Sequence, residues 1–403
     1  NLPPGRIDVV LFVYHFSIVS SMITITQSPF NALIIVRERM NIFAIIGIVE
    51  AVLKLLIVYL LFISPFDKLK SYSILLLLVT IITTTIYKIY CLRNFKESKF
   101  VPYYDKTLYK ELISYSGWSL IGNIAAVGKG QGINVLLNVF FGTAINATYG
   151  IMIQVHVAVD SFVRNFQTAI NPQIYKDYSQ ERLVEMQDLM FQGSRFSFFL
   201  LLLLVSPIIY NIDYVLILWL ENPPPFTETF VVLTLVNLMV ECMSYPLITG
   251  AMATGKIKNY QIVVGSILFL NLPISYFVYQ YFDNPSSFLY VAICLSIVAL
   301  FFRLFFLKAI INLNVQLFFK QVLRPIILLS ISIVLSIYLL KEFTGGSKSI
   351  VNFIFSSFTI VLVNCSLIYM MGLSKREREF VIGYIKEKLK SSDIIKQKKI
   401  YIE

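Results

Sequence analysis

Charged residues are scarce in this sequence. They make up 14% of its 403 residues, whereas hydrophobic residues make up 57% and the mean hydropathy is +0.74. Soluble domains carry about 25% charged residues, so an ordinary soluble domain is excluded. Cysteine is also rare: Cys91, Cys242, Cys294 and Cys365 stand singly, and no two have the spacing of metal ligands. The sequence therefore predicts neither a disulfide framework nor a metal site.

Motifs for nucleotide chemistry and for catalysis are missing as well. No segment has the GxxxxGK[ST] form of a phosphate-binding loop, which excludes direct ATP drive within this chain. The two histidines, His15 and His156, both fall within hydrophobic runs. A membrane enzyme is expected to carry catalytic clusters in sizeable extramembrane loops, whereas the predicted outer loops are short and contain no histidine. We expect a protein that is not an enzyme and needs no cofactor.

Hydrophobic runs of spanning length dominate the remaining sequence. A helix needs about 20 apolar residues to cross a bilayer, and eleven runs reach or approach that length. The predicted fold class is therefore an all-α polytopic membrane protein. The run 195–210 is short, so its ends are expected to extend. The predicted spans are residues 9–33, 41–64, 72–91, 112–141, 146–174, 195–210, 227–251, 259–281, 286–307, 323–340 and 350–371.

The basic residues follow the positive-inside rule. With the first predicted loop placed in the cytoplasm, cytoplasmic segments hold 26 of the 34 lysines and arginines, including Arg195 and Arg303, and the opposite side holds five. The remaining three, Lys54, Lys129 and Arg164, fall within predicted spans. This bias predicts a cytoplasmic C-terminus. The net charge of +11 therefore reflects membrane orientation and argues against a nucleic-acid partner.

Two consecutive predicted helices, 112–141 and 146–174, each carry polar side chains along one face, as judged from a 3.6-residue period. A polar stripe in a membrane helix must face protein or water, because unpartnered polar groups in hydrocarbon cost several kcal/mol each. We interpret the two faces as walls of one internal cavity, joined by a turn near 142–146. The polar residues are Ser116, Ser119, Asn123, Gln131, Asn134 and Asn138 in the first helix, and His156, Asp160, Arg164, Gln167 and Asn171 in the second.

Two acid–base pairs with i,i+4 spacing fall inside predicted spans. Glu50 and Lys54 have the acid on the N-terminal side, which is the favourable order for a pair within one helix. Asp160 and Arg164 repeat this spacing. Ionisable residues within spans are rare and usually line a pathway, so each pair is either an internal ion pair or part of a proton or ion site. Both interpretations remain open at this point.

Other polar residues of the spans also allow two interpretations. Lys129, between two glycines, either lies in a substrate path or extends its ammonium group toward the membrane surface. His156 is either a hydrogen-bonded structural residue or a proton carrier, because histidine titrates near neutral pH. Glu241, in the span 227–251, is a further candidate for an ion site. The Asn and Gln stripe either binds a substrate or joins neighbouring helices.

An internal repeat divides the sequence. NYQIVVG at 259–265 matches NIFAIIG at 41–47: in both, a short basic loop precedes an Asn, and a Gly follows six residues later. Spans one to three therefore match spans seven to nine, and we expect three further spans before residue 1. The predicted domains are residues 1–92 as the second half of a first lobe, 93–111 as a basic cytoplasmic connector, 112–309 as a six-span second lobe, 310–372 as two extra spans, and 373–403 as a basic cytoplasmic tail.

Two six-helix lobes followed by two extra spans resemble the multidrug/oligosaccharidyl-lipid/polysaccharide exporter superfamily. Within it, the chain is similar to Wzx-type flippases, lipopolysaccharide biosynthesis proteins that act on O-antigen or polysaccharide repeat units. The resemblance covers nearly the whole chain, but the first three helices of the family have no counterpart here. The segments that carry it are SPFNALIIVRERMNIFAIIGIVEAVLKLLIVYLL, SGWSLIGNIAAVGKGQGINVLLNVFFG, NFQTAINPQIYKDYS and LWLENPPPFTETF.

The resemblance implies a function and a cargo. A protein of this type moves undecaprenyl-diphosphate-linked oligosaccharides across the bacterial inner (cytoplasmic) membrane by alternating access, coupled to an ion gradient. Its expected partners are that glycan, membrane lipids, and a polysaccharide polymerase or other assembly proteins. The implied substrate path is Lys129 and Arg164 for the anionic diphosphate or acidic sugars, and Asn123, Gln131, Asn134 and Asn138 for hydroxyl groups. The candidates for ion coupling are Asp160, Glu50, Lys54, Glu241 and His156.

Two other functions remain open. A cation antiporter of the multidrug- or toxin-extrusion type belongs to the same superfamily, but it would need acidic cavity groups, whereas Lys129 and Arg164 favour an anionic cargo. A membrane polysaccharide polymerase or acyltransferase would need catalytic clusters in large extramembrane loops, and the predicted outer loops contain none. The flippase interpretation is therefore preferred over both.

Overall fold

The computed structural model describes residues 7–99, 101–344, 349–375 and 377–379. Within these ranges every regular element is helical, and ten helices are long and apolar enough to cross a membrane. The chain is thus an all-α polytopic membrane protein, as its hydrophobic runs predict. It divides into two compact units, which meet in sequence between Tyr109 and Lys110.

The first unit contains three long helices and a short 3-10 turn. The third helix, α3, packs against both α1 and α2. Thr84 of α3 donates a hydrogen bond to Oε1 of Gln27 in α1 at 2.8 Å, and both side chains are buried. Asp67 caps α3 by accepting hydrogen bonds from the backbone N–H groups of Leu69 and Lys70. The bounds are α1 (Ile7–Val36), α2 (Met40–Ile63), α3 (Lys68–Asn94) and the turn Lys96–Ser98.

Helices α4 to α14 follow. The longest, α4, covers 74 residues, but the backbone at Gly142 is non-helical (φ 80°, ψ −172°) and divides it into two arms. This conformation is essentially restricted to glycine, which lacks a Cβ atom. The bounds are α4 (Lys106–Ser179), α5 (Leu183–Tyr210), α6 (Ile212–Leu220), α7 (Thr227–Cys242), α8 (Tyr245–Ala253), α9 (Lys258–Phe269), α10 (Asn271–Tyr281), α11 (Ser287–Ile311), α12 (Val315–Phe318), α13 (Arg324–Thr344) and α14 (Ile350–Leu367), with π-helical turns at Phe319–Leu323 and Ile368–Gly372.

The helices differ from the predicted spans in two places. The predicted spans 112–141 and 146–174 are the two arms of α4, so ten helices account for eleven predicted spans. The short predicted span 195–210 belongs to α5, which begins twelve residues earlier, at Leu183. The segment NPQIYKDYSQERLVEMQDLMFQGSRF at 171–196 is amphipathic and predicts a helix at the cytoplasmic membrane surface, but it is not a separate helix in the structure. It forms the end of α4 and the first turns of α5, where Met186 and Met190 are fully buried.

Two arginines that the charge count placed in the cytoplasm are buried in helices instead. Arg195 of α5 is 8% exposed and forms an ion pair with Glu377, and Arg303 of α11 is 6% exposed. Both lie near the end of an apolar run, where the sequence does not separate a helix from its flanking loop. The predicted basic tail 373–403 lies outside the described residues, apart from positions 373–375 and 377–379.

Two spans of the second unit are each broken into two shorter helices. The α7–α8 break falls at Met243 and Ser244, just before Pro246, and the α9–α10 break falls at Leu270. A helix break inside a membrane frees backbone groups that other helices must satisfy. Ser194 of α5 does so by donating a hydrogen bond to the carbonyl of Met243 at 2.7 Å. Helix α11 packs against both broken spans, so it holds them in one bundle.

The two triplets of the predicted repeat share some features. Helices α2 and α9 each begin one residue before the Asn of the repeat motif, Asn41 or Asn259. In each triplet the third helix packs against the two before it: α3 against α1 and α2, and α11 against α7 to α10. One difference is that α2 is continuous, whereas its counterpart is broken into α9 and α10. The proposed lobe limits themselves stay predictions.

Candidate functional site

The second unit contains a polar cavity of about 480 Å³. Its walls come from both arms of α4 and from α7, α8, α9, α10 and α11. The apolar part of the lining includes Ile133, Tyr149, Met152 and Phe288. The polar side chains that line the cavity are Asn123, Lys129, His156, Arg164, Thr234, Asn237, Glu241, Ser244, Tyr245, Asn271, Ser296 and Arg303.

Positive charge exceeds negative charge in this lining. Three cations, Lys129, Arg164 and Arg303, face one carboxylate, that of Glu241. Arg164 is paired with Asp160. Among the residues that the structure describes, neither Lys129 nor Arg303 has a carboxylate partner. A cation held at low dielectric without a counter-charge attracts an anion strongly, so the cavity suits a negatively charged group.

Asp160 and Arg164 form the ion pair that their spacing predicts, and a third residue completes it. The carboxylate of Asp160, 9% exposed, also accepts a hydrogen bond from the hydroxyl of Tyr245 at 2.7 Å. The guanidinium of Arg164 lies over the Tyr245 ring, 5.1 Å from its centroid. These contacts join the second arm of α4 to the start of α8. They satisfy Asp160 twice and leave Arg164 at the cavity wall.

Glu241 is the carboxylate of the cavity, and its observed partners are neutral. Nδ2 of Asn237 donates to Oε1 of Glu241 at 3.0 Å, and Oγ of Ser296 donates to the same atom at 3.3 Å. Buried polar atoms normally have hydrogen-bond partners. Yet Oδ1 of Asn237, Oγ1 of Thr234 and Nδ1 of His156 are buried without one in the structure. These atoms mark positions where a bound polar group or water is accommodated.

Arg303 is the cavity cation that the sequence analysis missed. Its Nε donates to the hydroxyl of Tyr260 at 3.2 Å and its Nη1 donates to Oγ of Ser244 at 3.0 Å. Ser244 lies at the α7–α8 break, so Arg303 supports the break and also brings its charge to the cavity. The sequence did contain evidence for this role, because position 303 falls inside the predicted span 286–307. A basic residue within a membrane span costs free energy and usually has a functional role.

The first arm of α4 turns a face toward the cavity that differs from the predicted polar stripe. Asn123 and Lys129 line the cavity as expected, with Ala126 between them and Gly130 and Ile133 beyond them. Each residue advances an α-helix by about 100°, so a shift of one residue is enough to turn a stripe away from the cavity. The stripe residues outside the cavity lining are Ser116, Ser119, Gln131, Asn134 and Asn138.

The polar face of the second arm of α4 serves two purposes. His156 and Arg164 line the cavity, whereas the two residues nearest the end of the arm bond to neighbouring helices. Gln167 donates to Oγ of Ser197 in α5, and Asn171 accepts from Oγ1 of Thr249 in α8 at 2.9 Å. At Gln167 and Asn171, therefore, the polar face joins neighbouring helices.

Glu50 and Lys54 lie on α2 of the first unit and form the predicted ion pair, with Oε1 and Nζ 2.6 Å apart. Neither residue lines the cavity of the second unit. A polar stripe on α7, with Thr234, Asn237 and Glu241 at i, i+3 and i+7, was a signal that the sequence analysis did not use. Seven further polar residues of the cavity were not identified from the sequence. They are Tyr149, Thr234, Asn237, Ser244, Tyr245, Asn271 and Ser296.

No protein-family model matches this sequence, and no curated protein matches it significantly. Its fold does match solved transporters. A MATE in complex with MaL6 has a TM-score of 0.68 at 10% identity, over 77% of this chain and 72% of that chain. A MATE in the bent conformation has a TM-score of 0.65 at 11% identity, over 77% and 71%. An outward-facing multidrug resistance MATE family transporter of the MOP superfamily has a TM-score of 0.57 at 12% identity, over 66% and 62%.

The chain is therefore a multi-pass membrane protein with a MATE-like fold. One of these fold matches is described as a member of the MOP superfamily. A likeness at 10–12% identity concerns the fold alone, because the cavity side chains are free to differ at that distance. The cargo has to be inferred from the side chains of this chain's own cavity.

Proposed function

We propose that this chain is a transporter of an anionic amphiphile, and specifically a flippase for undecaprenyl-diphosphate-linked oligosaccharide repeat units in the bacterial inner membrane. The observation that carries the proposal is the excess of positive charge in the cavity. Lys129 and Arg303 line it without a carboxylate partner among the described residues, and Arg164 adds a third cation at its wall. A diphosphate supplies the counter-charge that these groups lack.

The neutral part of the lining suits the sugar attached to that diphosphate. Oγ1 of Thr234 and Oδ1 of Asn237 have unused hydrogen-bonding capacity, and Asn123 and Asn271 add amide groups. A volume of about 480 Å³ lies in the range of roughly 300–1,000 Å³ typical of small-ligand sites. We infer that the cavity holds the diphosphate and the sugar next to it, while the rest of the glycan extends beyond.

Among the candidates for ion coupling, Glu241 fits best. Asp160 is already engaged by Arg164 and Tyr245, and Glu50 is paired with Lys54 in the other unit. Glu241 receives hydrogen bonds from neutral donors, so it can exchange a proton or a monovalent cation without first breaking an ion pair. In this proposal, alternating access moves the cargo and Glu241 couples the movement to an ion gradient.

The same carboxylate supports a second candidate function, that of a cation or drug antiporter like the multidrug resistance transporter with which this chain shares its fold. Glu241 forms no close ion pair among the described residues, although Arg164 interacts with it electrostatically, and its carboxylate is suited to attract an organic cation. Three cations in the same lining oppose that cargo. A polysaccharide polymerase receives no support from either the cavity or the fold, since the fold matches are transporters.

The test is complementation in a bacterial host that lacks its own repeat-unit flippase, with surface glycan and membrane insertion measured together. We expect the full protein to restore surface glycan, and Lys129→Ala and Arg303→Gln to lower it about tenfold or more, since each removes about 1.4 kcal/mol or more of attraction for the diphosphate. Lys256→Ala is the matched control, because Lys256 is exposed and does not line the cavity.

Two results would contradict the proposed function. If the inserted wild-type protein leaves surface glycan absent but raises the host's tolerance of cationic drugs, and Glu241→Gln abolishes that tolerance, the antiporter function replaces the flippase function. If both cavity variants insert normally and support as much glycan as Lys256→Ala, the cationic cavity is not the path of the cargo.

A further inference from the structure

A groove lies on the outside of the second unit, along the span formed by α12, the π-helical turn Phe319–Leu323 and the start of α13. Its volume is about 580 Å³, within the range of roughly 300–1,000 Å³ typical of small-ligand sites. None of its lining residues lines the polar cavity. The groove is therefore separate from the proposed substrate path.

The groove has a basic end and an apolar end. Gln316, Lys320 and Arg324 recur every four residues, line the groove and are exposed. Ile327 and Leu328 line it further along the chain and are 54% and 44% exposed. The apolar run of this span begins directly after Arg324 and continues to position 340. The basic end therefore lies where the hydrocarbon-facing part of the span begins, and the apolar end lies within that part.

The protein itself does not neutralise the two cations. Among the described residues, no carboxylate lies within ion-pair distance of Lys320 or Arg324. Both belong to the segments that the positive-inside rule predicts to be cytoplasmic. Basic residues at that membrane surface attract anionic lipid headgroups. The basic end of the groove therefore suits a headgroup with a net negative charge.

Packing on the inner face of this segment fixes the direction in which the cations point. Phe318 and Val322 are fully buried. The ring of Phe318 packs edge-on against the ring of Phe191 in α5, with the two centroids 5.5 Å apart. A rotation of the segment about its axis would expose these side chains, so Lys320 and Arg324 stay turned outward.

The π-helical turn under the groove is held in place by a buried arginine. Nη1 of Arg195 in α5 donates to the carbonyl of Gln321 at 3.4 Å. Arg195 is 8% exposed and is itself paired with Glu377. Turns of this kind are rare and occur frequently at functional sites. The groove is therefore a preformed feature of the fold, because its backbone is fixed from inside.

We propose that this groove binds an anionic phospholipid of the bilayer, with its phosphate at Lys320 and Arg324 and an acyl chain along Ile327 and Leu328. Charge decides the class of lipid, because a zwitterionic headgroup carries an ammonium group that the two cations repel. The apolar end decides that the ligand is a lipid and not a free phosphate, because it continues into the hydrocarbon region. The site concerns a resident lipid and not the cargo, so it does not depend on the proposed function.

Photocrosslinking tests the occupant of the groove. The full protein carries benzoylphenylalanine in place of Ile327, in vesicles of phosphatidylglycerol with an excess of phosphatidylcholine. Ile331 is the matched control position, because it lies one turn further along α13, is also exposed and does not line the groove. We expect crosslinked phosphatidylglycerol to exceed its share of the bilayer about tenfold at position 327 and not at position 331, since each cation contributes roughly a factor of five.

Charge variants show whether the two cations cause this enrichment. Replacing both, by Lys320→Gln and Arg324→Gln, is expected to abolish the enrichment at position 327, whereas Arg324→Lys alone keeps the charge and should retain most of it. Lys308→Gln is the matched control, because Lys308 is an exposed basic residue of the same predicted side and does not line the groove. We expect it to leave the enrichment unchanged.

Three results would overturn the proposal. Equal enrichment at positions 327 and 331, or an equal loss with Lys308→Gln, shows a diffuse attraction between the basic surface and anionic lipid. Crosslinking of position 327 to polypeptide shows that a protein segment covers the groove. Displacement of phosphatidylglycerol by added undecaprenyl diphosphate shows that the proposed cargo, and not a lipid of the bilayer, occupies it.

Native mass spectrometry of the purified protein provides a measurement that leaves the apolar end of the groove intact. We expect the wild-type protein to retain phosphatidylglycerol in preference to phosphatidylcholine, and the variant with both Lys320→Gln and Arg324→Gln to lose that preference. Equal retention of the two lipids by the wild-type protein would overturn the site. Displacement of the bound lipid by soluble glycerol phosphate would overturn its assignment to a lipid, because a free phosphate would then suffice.

Discussion

Two acid–base pairs with identical spacing behave differently in this protein. On α2, Glu50 and Lys54 form an ion pair whose side chains are 36% and 54% exposed. On α4, Asp160 and Arg164 form another, in which the acid is 9% and the base 67% exposed, and a residue from a different helix, Tyr245, donates a second hydrogen bond to the acid. The spacing i,i+4 creates both pairs. What differs is whether a second helix takes part.

The difference shows where an ion pair has structural consequences. In the first pair both groups keep access to their surroundings, so the attraction between them replaces interactions that each would otherwise make. In the second pair the carboxylate is buried and joins two helices, so removing it leaves a phenol and a guanidinium without their acceptor. Stability and cavity geometry are therefore expected to respond to Asp160 far more than to Glu50.

The largest effect is expected for Asp160→Ala. Because the hydroxyl of Tyr245 and the guanidinium of Arg164 both lose their acceptor, we expect a loss of about 1–3 kcal/mol in the free energy of unfolding. The measurement is unfolding of the purified protein in detergent. Asp160→Asn is the control: it keeps a carbonyl oxygen for Tyr245, so its loss should be intermediate. Equal losses for Ala and Asn would show that the hydrogen bond from Tyr245 contributes nothing.

A smaller effect is expected for Tyr245→Phe. The ring stays over Arg164, but the hydroxyl that donates to Asp160 is removed. Hydrogen bonds between membrane helices average about 0.6 kcal/mol, and we expect a loss of that size. A double-mutant cycle with Asp160→Ala provides the measurement. Additive losses would mean that the two residues act independently, contrary to the contact in the structure.

The smallest effect is expected for Glu50→Gln. Ion pairs with i,i+4 spacing within one helix contribute about 0.2–0.5 kcal/mol, so the free energy of unfolding should shift by less than about 1 kcal/mol, and Lys54→Met should give the same small change. If Glu50→Gln destabilises the protein as much as Asp160→Ala does, Glu50 has a further partner whose contribution to stability equals that of Tyr245 and Arg164 to Asp160. The contrast between the two pairs would then disappear.

Features that depend on a single helix were predicted correctly from the sequence. The apolar runs predicted every span, and the expected turn near 142–146 is a kink at Gly142. Both i,i+4 pairs are present. In each case the deciding interaction is between a residue and its own helix, or between a helix and hydrocarbon, so the order of residues is sufficient.

Features that depend on the packing of several helices were not predicted correctly from the sequence. Ser116, Ser119, Gln131, Asn134 and Asn138 were expected in the cavity but do not line it, because this arm of α4 turns a neighbouring face, with Ala126, Gly130 and Ile133, toward the cavity. Arg303 was assigned to a cytoplasmic segment but lies buried at the cavity. Neither outcome can be read from one segment, since helix rotation depends on the side chains of its neighbours.

By itself, the sequence determined that this protein is an all-helical, multi-pass membrane protein, because hydrocarbon accepts only long apolar helices whose backbone groups are satisfied internally. Its i,i+4 spacings also indicated which acids and bases are able to pair within a helix. Only the tertiary structure decided which polar groups share one cavity, and that three cations meet one carboxylate there. The reason is geometric: Lys129, Glu241 and Arg303 are far apart in sequence and come together only when broken and kinked helices pack.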